Sequence, residues 1–594
     1  MGLGQVRSPF LHKKLEAIVK LAKRDAKDSN EKAWAKWTDA HAFTRKGECS
    51  QPSIDRVINV SAYLDKEKHS WGDKWLANDI VRFRKVNEAI AAFNRSTSDT
   101  VRDTVYWQSR VNAVKIKEAA ASFSSKTAIG CDFLRFDTVA NLPTTILDRL
   151  ASIFIDILLN RVGPTCVQEA WLSLIGKKLG GTRCIATLPT WTRLLLRTIG
   201  QDFRDWDDQI ALAGDTCLGG RHAEFETYKR SIWMEARDRL GYTTVNILFD
   251  QQAFYDTIDT ESLLHILKEL GAPPEATSIA LQGHIAPRRL KQAGNFSDTI
   301  HSCGRSIVAG CTSSTTFARA YLKAALQLAR NAYIQSELPM DDFYQGIHVD
   351  DVSQAVAHHD PGIAARLAIH AASSFAEGVL ERHLVISNKT VVLSNKPKAA
   401  TRVKNALKRE GIPIKTARAA NDLGVETTCA KSRASNTIRM RFAKGIKRMR
   451  RRKILARFAP RAKGLFKAGG RPVMTYGMAA MGLAPSQRSQ LNSTAKQVAG
   501  PAGFRPCTAT LLTLKYKSLP SIDAAASTLT WWIRMWNDIN EHEKDIVTKA
   551  WRNVRDEMTA LQPNRRWRVT KGGISSSQHF AGSQLDSSPT NSLA

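Results

Sequence analysis

Two apolar runs that end on carboxylates constrain this chain more than any other feature. One is Ile347-His348-Val349-Asp350-Asp351-Val352; the other, well upstream, is Val245-Asn246-Ile247-Leu248-Phe249-Asp250. Each reads as a buried strand that carries acid groups into a loop. Around Asp350, the apolar Ile347, Val349, Val352 and Val356, with polar Ser353-Gln354 between them, predict strand, tight turn, strand. After Asp250 the pattern predicts a helix. Asp259 serves as N-cap, Leu263, Leu264, Leu267 and Leu270 share one face, Gly271 marks the stop, and Pro273-Pro274 lie beyond. Acidic groups delivered to one place repel one another and are tolerable only around a cation. Hard oxygen ligands that also face phosphate suit magnesium.

The pair Asp350-Asp351 means little by itself. Asp207-Asp208 and Asp341-Asp342 are similar pairs in polar, turn-like surroundings, and Asp is common at exposed hairpin tips. The second carboxylate-bearing strand is what favours a site over a solvated tip.

Charge points the same way. A formal net charge of +32 and a pI near 9.9 call for a polyanionic partner, and nucleic acid is the obvious one. A chain of 594 residues can hold several domains. No apolar run approaches a membrane span; the stretch from Ile153 to Leu159 is short and broken by Asp156. Met1 to Val6 has neither an apolar signal region nor the Ser or Thr of a myristoylation site. Nine cysteines without C-x-x-C spacing argue for a reducing, intracellular compartment and against a zinc module. Cys303 and Cys311 read as packing thiols. His358-His359-Asp360, followed by Pro361-Gly362, reads as a polar turn rather than a metal site.

Residues 1–120 are charged, with Trp34, Trp37, Trp71, Trp75 and Trp107 spread through helix-like patterns such as Lys13 to Asp25. They form either an RNA-binding extension or a helical layer packed on the fingers-like stretch after residue 120, and the second reading is favoured. Residues 121–245 read as mostly helical, and 246–430 as strand-bearing. Within the latter, a helix from Thr312 to Ile334 carries Phe317, Tyr321, Ala324 and Leu328 as a core stripe. From Lys431 to Arg471 there is no acidic residue. Lys444, Lys447, Arg448, Arg450, Arg451 and Arg452 stand against an apolar face of Phe442, Ile446, Met449, Leu455 and Phe458. So one-sided a run repels itself unless an anion is near, which favours nucleic-acid contact over a merely solvated face. A nuclear import signal is the weaker second use of the same run. Residues 510–570 hold another helical pattern with Trp531, Trp532, Trp536 and Trp551. The Ser, Gly and Gln of 571–594 read as a disordered tail.

Asp250-Gln251-Gln252-Ala253-Phe254-Tyr255-Asp256-Thr257-Ile258 resembles the first palm motif of reverse transcriptases, and His348-Val349-Asp350-Asp351 their aromatic-x-Asp-Asp motif. Ile175-Gly176-Lys177-Lys178 through Gly181-Thr182-Arg183-Cys184-Ile185-Ala186 is similar to their fingers segment. Ala309-Gly310-Cys311-Thr312-Ser313 is similar to the second palm motif, and Leu384-Val385-Ile386-Ser387-Asn388-Lys389-Thr390 to a later one. Asp422-Leu423-Gly424-Val425 resembles the primer-grip hairpin of retrotransposons without long terminal repeats. Gly130-Cys131-Asp132 and Leu142-Pro143 resemble the opening of the fingers in that group. The likeness spans residues 120–510 and is that of a divergent, protist-like member. It departs at Ala309, where Gln is usual, at Cys184, where Pro is usual, and in lacking the Ser-Pro after the second motif.

The resemblance implies an α+β right-hand polymerase: fingers in 121–245, a palm with an antiparallel sheet plus helices in 246–430, a helical thumb and connection in 431–570, and a helical basic N-terminal extension in 1–120. It implies an RNA-directed DNA polymerase that transfers a nucleotide from a dNTP to a primer 3′ hydroxyl with two magnesium ions, or manganese in their place. Asp250 and Asp350 would be ligands, with Asp351 supporting them. Lys389 would be a proton donor to, or charge partner of, the leaving group, or else a solvated loop lysine. Lys177 and Arg183 would clamp the triphosphate, and Gly310 would lie against the nucleotide. Tyr255 would exclude a ribose 2′-hydroxyl. Leu423 and Gly424 would grip the primer. The partners would be an RNA template, a DNA primer and dNTPs, with no membrane and the oligomeric state open. An RNA-directed RNA polymerase and an inactive nucleic-acid-binding scaffold are the alternatives. No endonuclease block is recognisable, and little chain remains after the thumb for a ribonuclease H domain. The expectation is therefore a fragment or a degenerate copy.

Overall fold

The computed structural model describes residues 60–77, 79–176, 181–337, 342–430, 433–456, 464–499 and 507–585; side chains are described only to 450 and 582 in the segments ending at 456 and 585. The chain is a mixed α+β protein, and its described residues form two larger sheets and one two-stranded hairpin.

Four strands form the first sheet: β1 (Ala170–Gly176), β2 (Thr182–Thr187), β4 (Arg288–Gln292) and β5 (Asn295–Phe296), in the order β2-β1-β4-β5. The β1–β2 and β4–β5 pairs are antiparallel, and β1 runs parallel to β4. This corrects the partition at 245. The 121–245 stretch is not self-contained, because its sheet is completed by strands from beyond the next boundary. The cause is the register of Ala170 with Arg288 and of Leu172 with Leu290, whose side chains are buried together.

Five strands form the second sheet: β3 (Thr243–Phe249), β6 (Phe343–His348), β7 (Asp351–His358), β8 (Val391–Ser394) and β9 (Lys415–Thr416), in the order β6-β7-β3-β8-β9. It is antiparallel except for β8 and β9. Every residue of β3 is buried, as a central strand requires. Alternation splits its side chains between two faces. Ile247, Phe249, Val352, Val356 and Val392 join the core formed with the Ser314–Ile334 and Pro361–Leu380 helices. Leu248, Ala355, Ala357 and Leu393 pack on Trp233 and Met234 of the Ala223–Arg239 helix. The Ser314–Ile334 helix buries Phe317, Tyr321, Ala325, Leu326 and Ala329, whereas Leu328 is 39% exposed. The expected stripe is thus corrected at its far end: Ala324 is only half-buried and Leu328 faces out, and Ala325, Leu326 and Ala329 take the core side instead.

One core runs from Leu64 to Ile414. The helices Val60–Lys74 and Ile80–Ser96 belong to it through Trp71, Trp75, Val86 and Phe93. Trp71 donates to Thr182 of β2 at 3.2 Å, and the Arg288 guanidinium lies 4.5 Å from the Trp75 ring centre. The described part of the N-terminal stretch is therefore a layer packed on the four-stranded sheet. Lys13 to Asp25, Trp34 and Trp37 lie outside the described residues.

A second core joins the Ala223–Arg239 helix to the C-terminal helices. The expectation of a disordered 571–594 is corrected over Gly573–Leu585, which is a helix with Ile574, Ser575, Ser576, Ser577 and Phe580 buried. The buried Glu235 carboxylate accepts the backbone N–H groups of Ile574 and Ser575 at 2.9 and 3.2 Å, capping that helix from another. Tyr228 and Ser577 share a buried hydrogen bond of 2.6 Å. Small hydroxyl residues, read as disorder from composition, here permit close helix packing. Among the described residues, no helix is long and apolar enough to cross a membrane.

Candidate functional site

The two acid-bearing segments meet on neighbouring strands. β3 and β7 pair antiparallel with Phe249 opposite Val352, and one further step of that register sets Asp250 against Asp351. β6 and β7 form the expected hairpin. Its last pair is His348 with Asp351, and Val349-Asp350 is the two-residue turn. Val349 takes a φ of 60°, a left-handed conformation costly for a β-branched side chain. The turn is held from outside: Ile347 N–H donates to Gly214, and Thr216 N–H to Ile347, both at 3.0 Å. His348, at the family's aromatic position, has its Nδ1 2.8 Å from the Thr216 hydroxyl and 3.2 Å from the Cys217 thiol.

The carboxylates lie near enough to act on one another. Burial and then the charges of Asp350, Asp422 and Asp250 push the Asp351 carboxyl up to about 7. Burial and Asp250 also raise Asp350, against the opposing influence of Arg183 and His348. Among the described residues, no group of three or more acid, His or Cys side chains is arranged to hold a metal ion by itself. An open carboxylate cluster is nevertheless the donor chemistry that a hard divalent cation takes, since magnesium keeps waters and phosphate oxygens among its ligands. The mutual repulsion of Asp250, Asp350 and Asp351 is what such a cation would relieve.

The other nominated residues divide. Lys389 Nζ lies 3.9 Å from Asp250 Oδ2, and both side chains reach solvent. The segment before it is fastened to the Asp250 loop: Ser387 N–H donates to Asp250 O at 2.7 Å, and Gln252 N–H to Val385 O at 2.9 Å. Tyr255 sits within the field of Asp350; burial and then Asp350 raise its phenol. Its neighbour Asp256 accepts the Trp75 indole N–H at 2.9 Å. Arg183 is on β2, exposed, and close enough to act on Asp350. Gly310, with φ of 119°, closes on β2, where a Cβ would lie 2.4 Å from the Ala186 carbonyl oxygen. Its smallness is thus explained by packing. Lys177 lies outside the described residues.

Leu423 and Gly424 form the turn between β10 (Ala419–Asp422) and β11 (Val425–Thr428), with φ of 47° and 78°. Such a two-residue turn needs both positive angles. Tyr476 and Arg441 donate to the carbonyls of Leu423 and Gly424, each at 2.8 Å. The basic helix, Asn436–Ala456, therefore touches this hairpin directly. It buries Ile438, Phe442 and Met449, and Ile446 is partly buried. Lys444 and Arg450 are exposed, and Lys447 and Arg448 partly so. The side chains of Arg451, Arg452 and Leu455, and all of Phe458, lie outside the described part of the chain.

Three groups escaped sequence reasoning. Asp422, quoted only as part of a turn, adds a fourth carboxylate beside Asp351. Arg230, fully buried, bonds Asp422 with one nitrogen and the Ser353 hydroxyl of β7 with another, the latter at 2.6 Å. It thereby ties the hairpin to the sheet. Asp207, read as a turn residue, lies in the Gly200–Ile210 helix and pairs with buried Arg319, which also bonds Asp215 beneath the Asp350 turn. No local pattern marks partners this far apart in sequence. Cys303 and Cys311 are buried thiols, as expected. Asp360 N-caps the helix after the His358-His359 turn.

The chain matches no known protein-family profile and no curated protein sequence.

Proposed function

We propose that this chain is a template-directed nucleotidyltransferase, an RNA-directed DNA polymerase of a retroelement, with the five-stranded sheet as its palm. The observation that carries the reading is the juxtaposition of Asp250 with the Asp350-Asp351 turn on adjacent strands. Asp250 and Asp350 would hold magnesium, with Asp351 beside them. The bound metal would lower the barrier by neutralising charge at the transferring phosphoryl group. Arg183 offers a planar fork to the phosphates. Lys389, 3.9 Å from Asp250, stands where it offers a proton or a charge to the leaving group. Tyr255, beside Asp350, supplies bulk where a 2′-hydroxyl would project. Asp256, one position further on, accepts the Trp75 indole N–H instead. This supports deoxynucleotides over ribonucleotides. The turn at Leu423-Gly424 and the basic helix behind it suit a primer strand and its backbone.

Primer extension on an RNA template, with deoxy- and ribonucleotides in parallel, tests the proposal. Wild type should extend with dNTPs, and Asp350→Asn should lose several powers of ten in rate. Binding of template–primer without extension, in magnesium or manganese, would leave a nucleic-acid scaffold as the function.

A further inference from the structure

The C-terminal helices enclose a cavity of about 610 Å³ outside the carboxylate site. Arg488, Arg555 and Arg566 line it, with the indoles of Trp551 and Trp567, and among the described residues no carboxylate does. Trp551 is shared: it also lines a second hollow of about 300 Å³ with Trp532, Ile533 and Trp536. Trp532 and Trp551 lie 4.5 Å apart between ring centres, and Trp532 stacks on Trp536 at 6.3 Å. Two aromatic hollows thus share one wall.

Gln578, only 9% exposed, also lines the larger cavity. Cations crowd the same wall. Arg488 donates to His579 Nε2 at 3.2 Å, and Arg433 lies 4.4 Å from the Trp567 ring centre. Burial, then Arg488 and Arg433, depresses the His579 imidazolium to about 4, so the ring is neutral and accepts from Arg488. That much positive charge, interleaved with flat aromatic faces, is the chemistry that holds an unpaired strand by base stacking and phosphate contact.

We infer that these two hollows form a binding groove for single-stranded nucleic acid, with one base entering the Trp551–Trp567–Gln578 cavity and a neighbouring base stacking in the Trp532–Trp536–Trp551 hollow. The groove does not use Asp250, Asp350 or Asp351, so it does not rest on the polymerase reading. It would anchor a strand away from the reaction.

Photo-crosslinking tests this in the full chain carrying Asp350→Asn. The probes are short thiolated, fluorescent oligonucleotides of single-stranded RNA and of single-stranded DNA, followed by peptide mapping and anisotropy titration. The expected result is crosslinks within residues 485–488 and 532–582 and about tenfold weaker binding for Trp551→Ala and for Arg555→Gln. Arg555 is exposed, so the melting temperature of Arg555→Gln should not fall, which separates lost binding from lost folding. A difference between the RNA and DNA arms would assign the strand. Crosslinks confined to residues outside 485–488 and 532–582, or unchanged affinity in both variants, would overturn the inference. Failure of primer extension would leave it untouched.

Discussion

Phe249 lies directly opposite Val352 across the β3–β7 ladder, and the whole candidate site depends on that pairing. A slip of one residue would turn Asp250 to the other face of the sheet. The register is fixed by burial on both faces, since Phe249 and Val352 sit in one core and Leu248 and Ala355 in another.

Magnesium should stabilise the protein. The clustered carboxylates repel one another without a cation, and a bound cation favours the folded state by mass action. Differential scanning fluorimetry should show a melting point that rises by a few degrees with magnesium in wild type and stays flat in the Asp250→Asn/Asp350→Asn double variant. In chelator, Asp351→Asn should melt higher than wild type, because it removes a half-buried charge repelled by Asp350, Asp422 and Asp250. Equal magnesium responses in wild type and double variant would exclude these ligands.

Tyr255 should set sugar choice. Tyr255→Val is expected to raise ribonucleotide incorporation at least tenfold relative to deoxynucleotide, measured as the ratio of kcat/KM values in primer extension. An unchanged ratio would remove Tyr255 from the sugar site.

Glu224 should make stability depend on pH. Its carboxylate accepts the Gly477 N–H, and Arg441 and Tyr476 are its charged and titratable neighbours. Burial, only partly offset by the Gly477 bond and Arg441, raises its pKa to about 7. The folded state then holds a proton that the unfolded state releases near pH 4. Stability contributed by this group is full at low pH and declines as pH rises from about 4 to about 7. Thermal melts of Glu224→Gln should lack that part of the decline, and a slope identical to wild type would refute the assignment.

Deleting residues 571–594 should destabilise the protein, by of order 4 kcal/mol from Ile574 and Phe580 alone. Equilibrium denaturation would measure it. A truncated chain of full stability would show that the Gly573–Leu585 helix adds nothing to the core.

The strand-ending carboxylates were legible in the sequence because alternation, turn residues and capping are local. The β3 strand, the Val349-Asp350 turn and the Asp259 cap all stand where the pattern set them, and the Leu423-Gly424 hairpin where the resemblance put one. Asp422, Arg230 and the Asp207–Arg319–Asp215 cluster were invisible, because each depends on partners far away in sequence. The Gly573–Leu585 helix was misread for a related reason. Its serines look like linker composition until the buried Glu235 and Tyr228 supply their hydrogen bonds.

The Glu235 cap also orders events at the ribosome. The Ala223–Arg239 helix buries Glu226, Arg230, Glu235 and Arg237, and Glu235 receives the backbone donors of Ile574 and Ser575. A nascent chain that has completed its acid-bearing strands still carries this helix with that carboxylate short of its donors. Its packing must therefore wait until Ile574 and Ser575, 339 and 340 residues downstream, have left the ribosome, and until then the half-made protein is a natural client for chaperones.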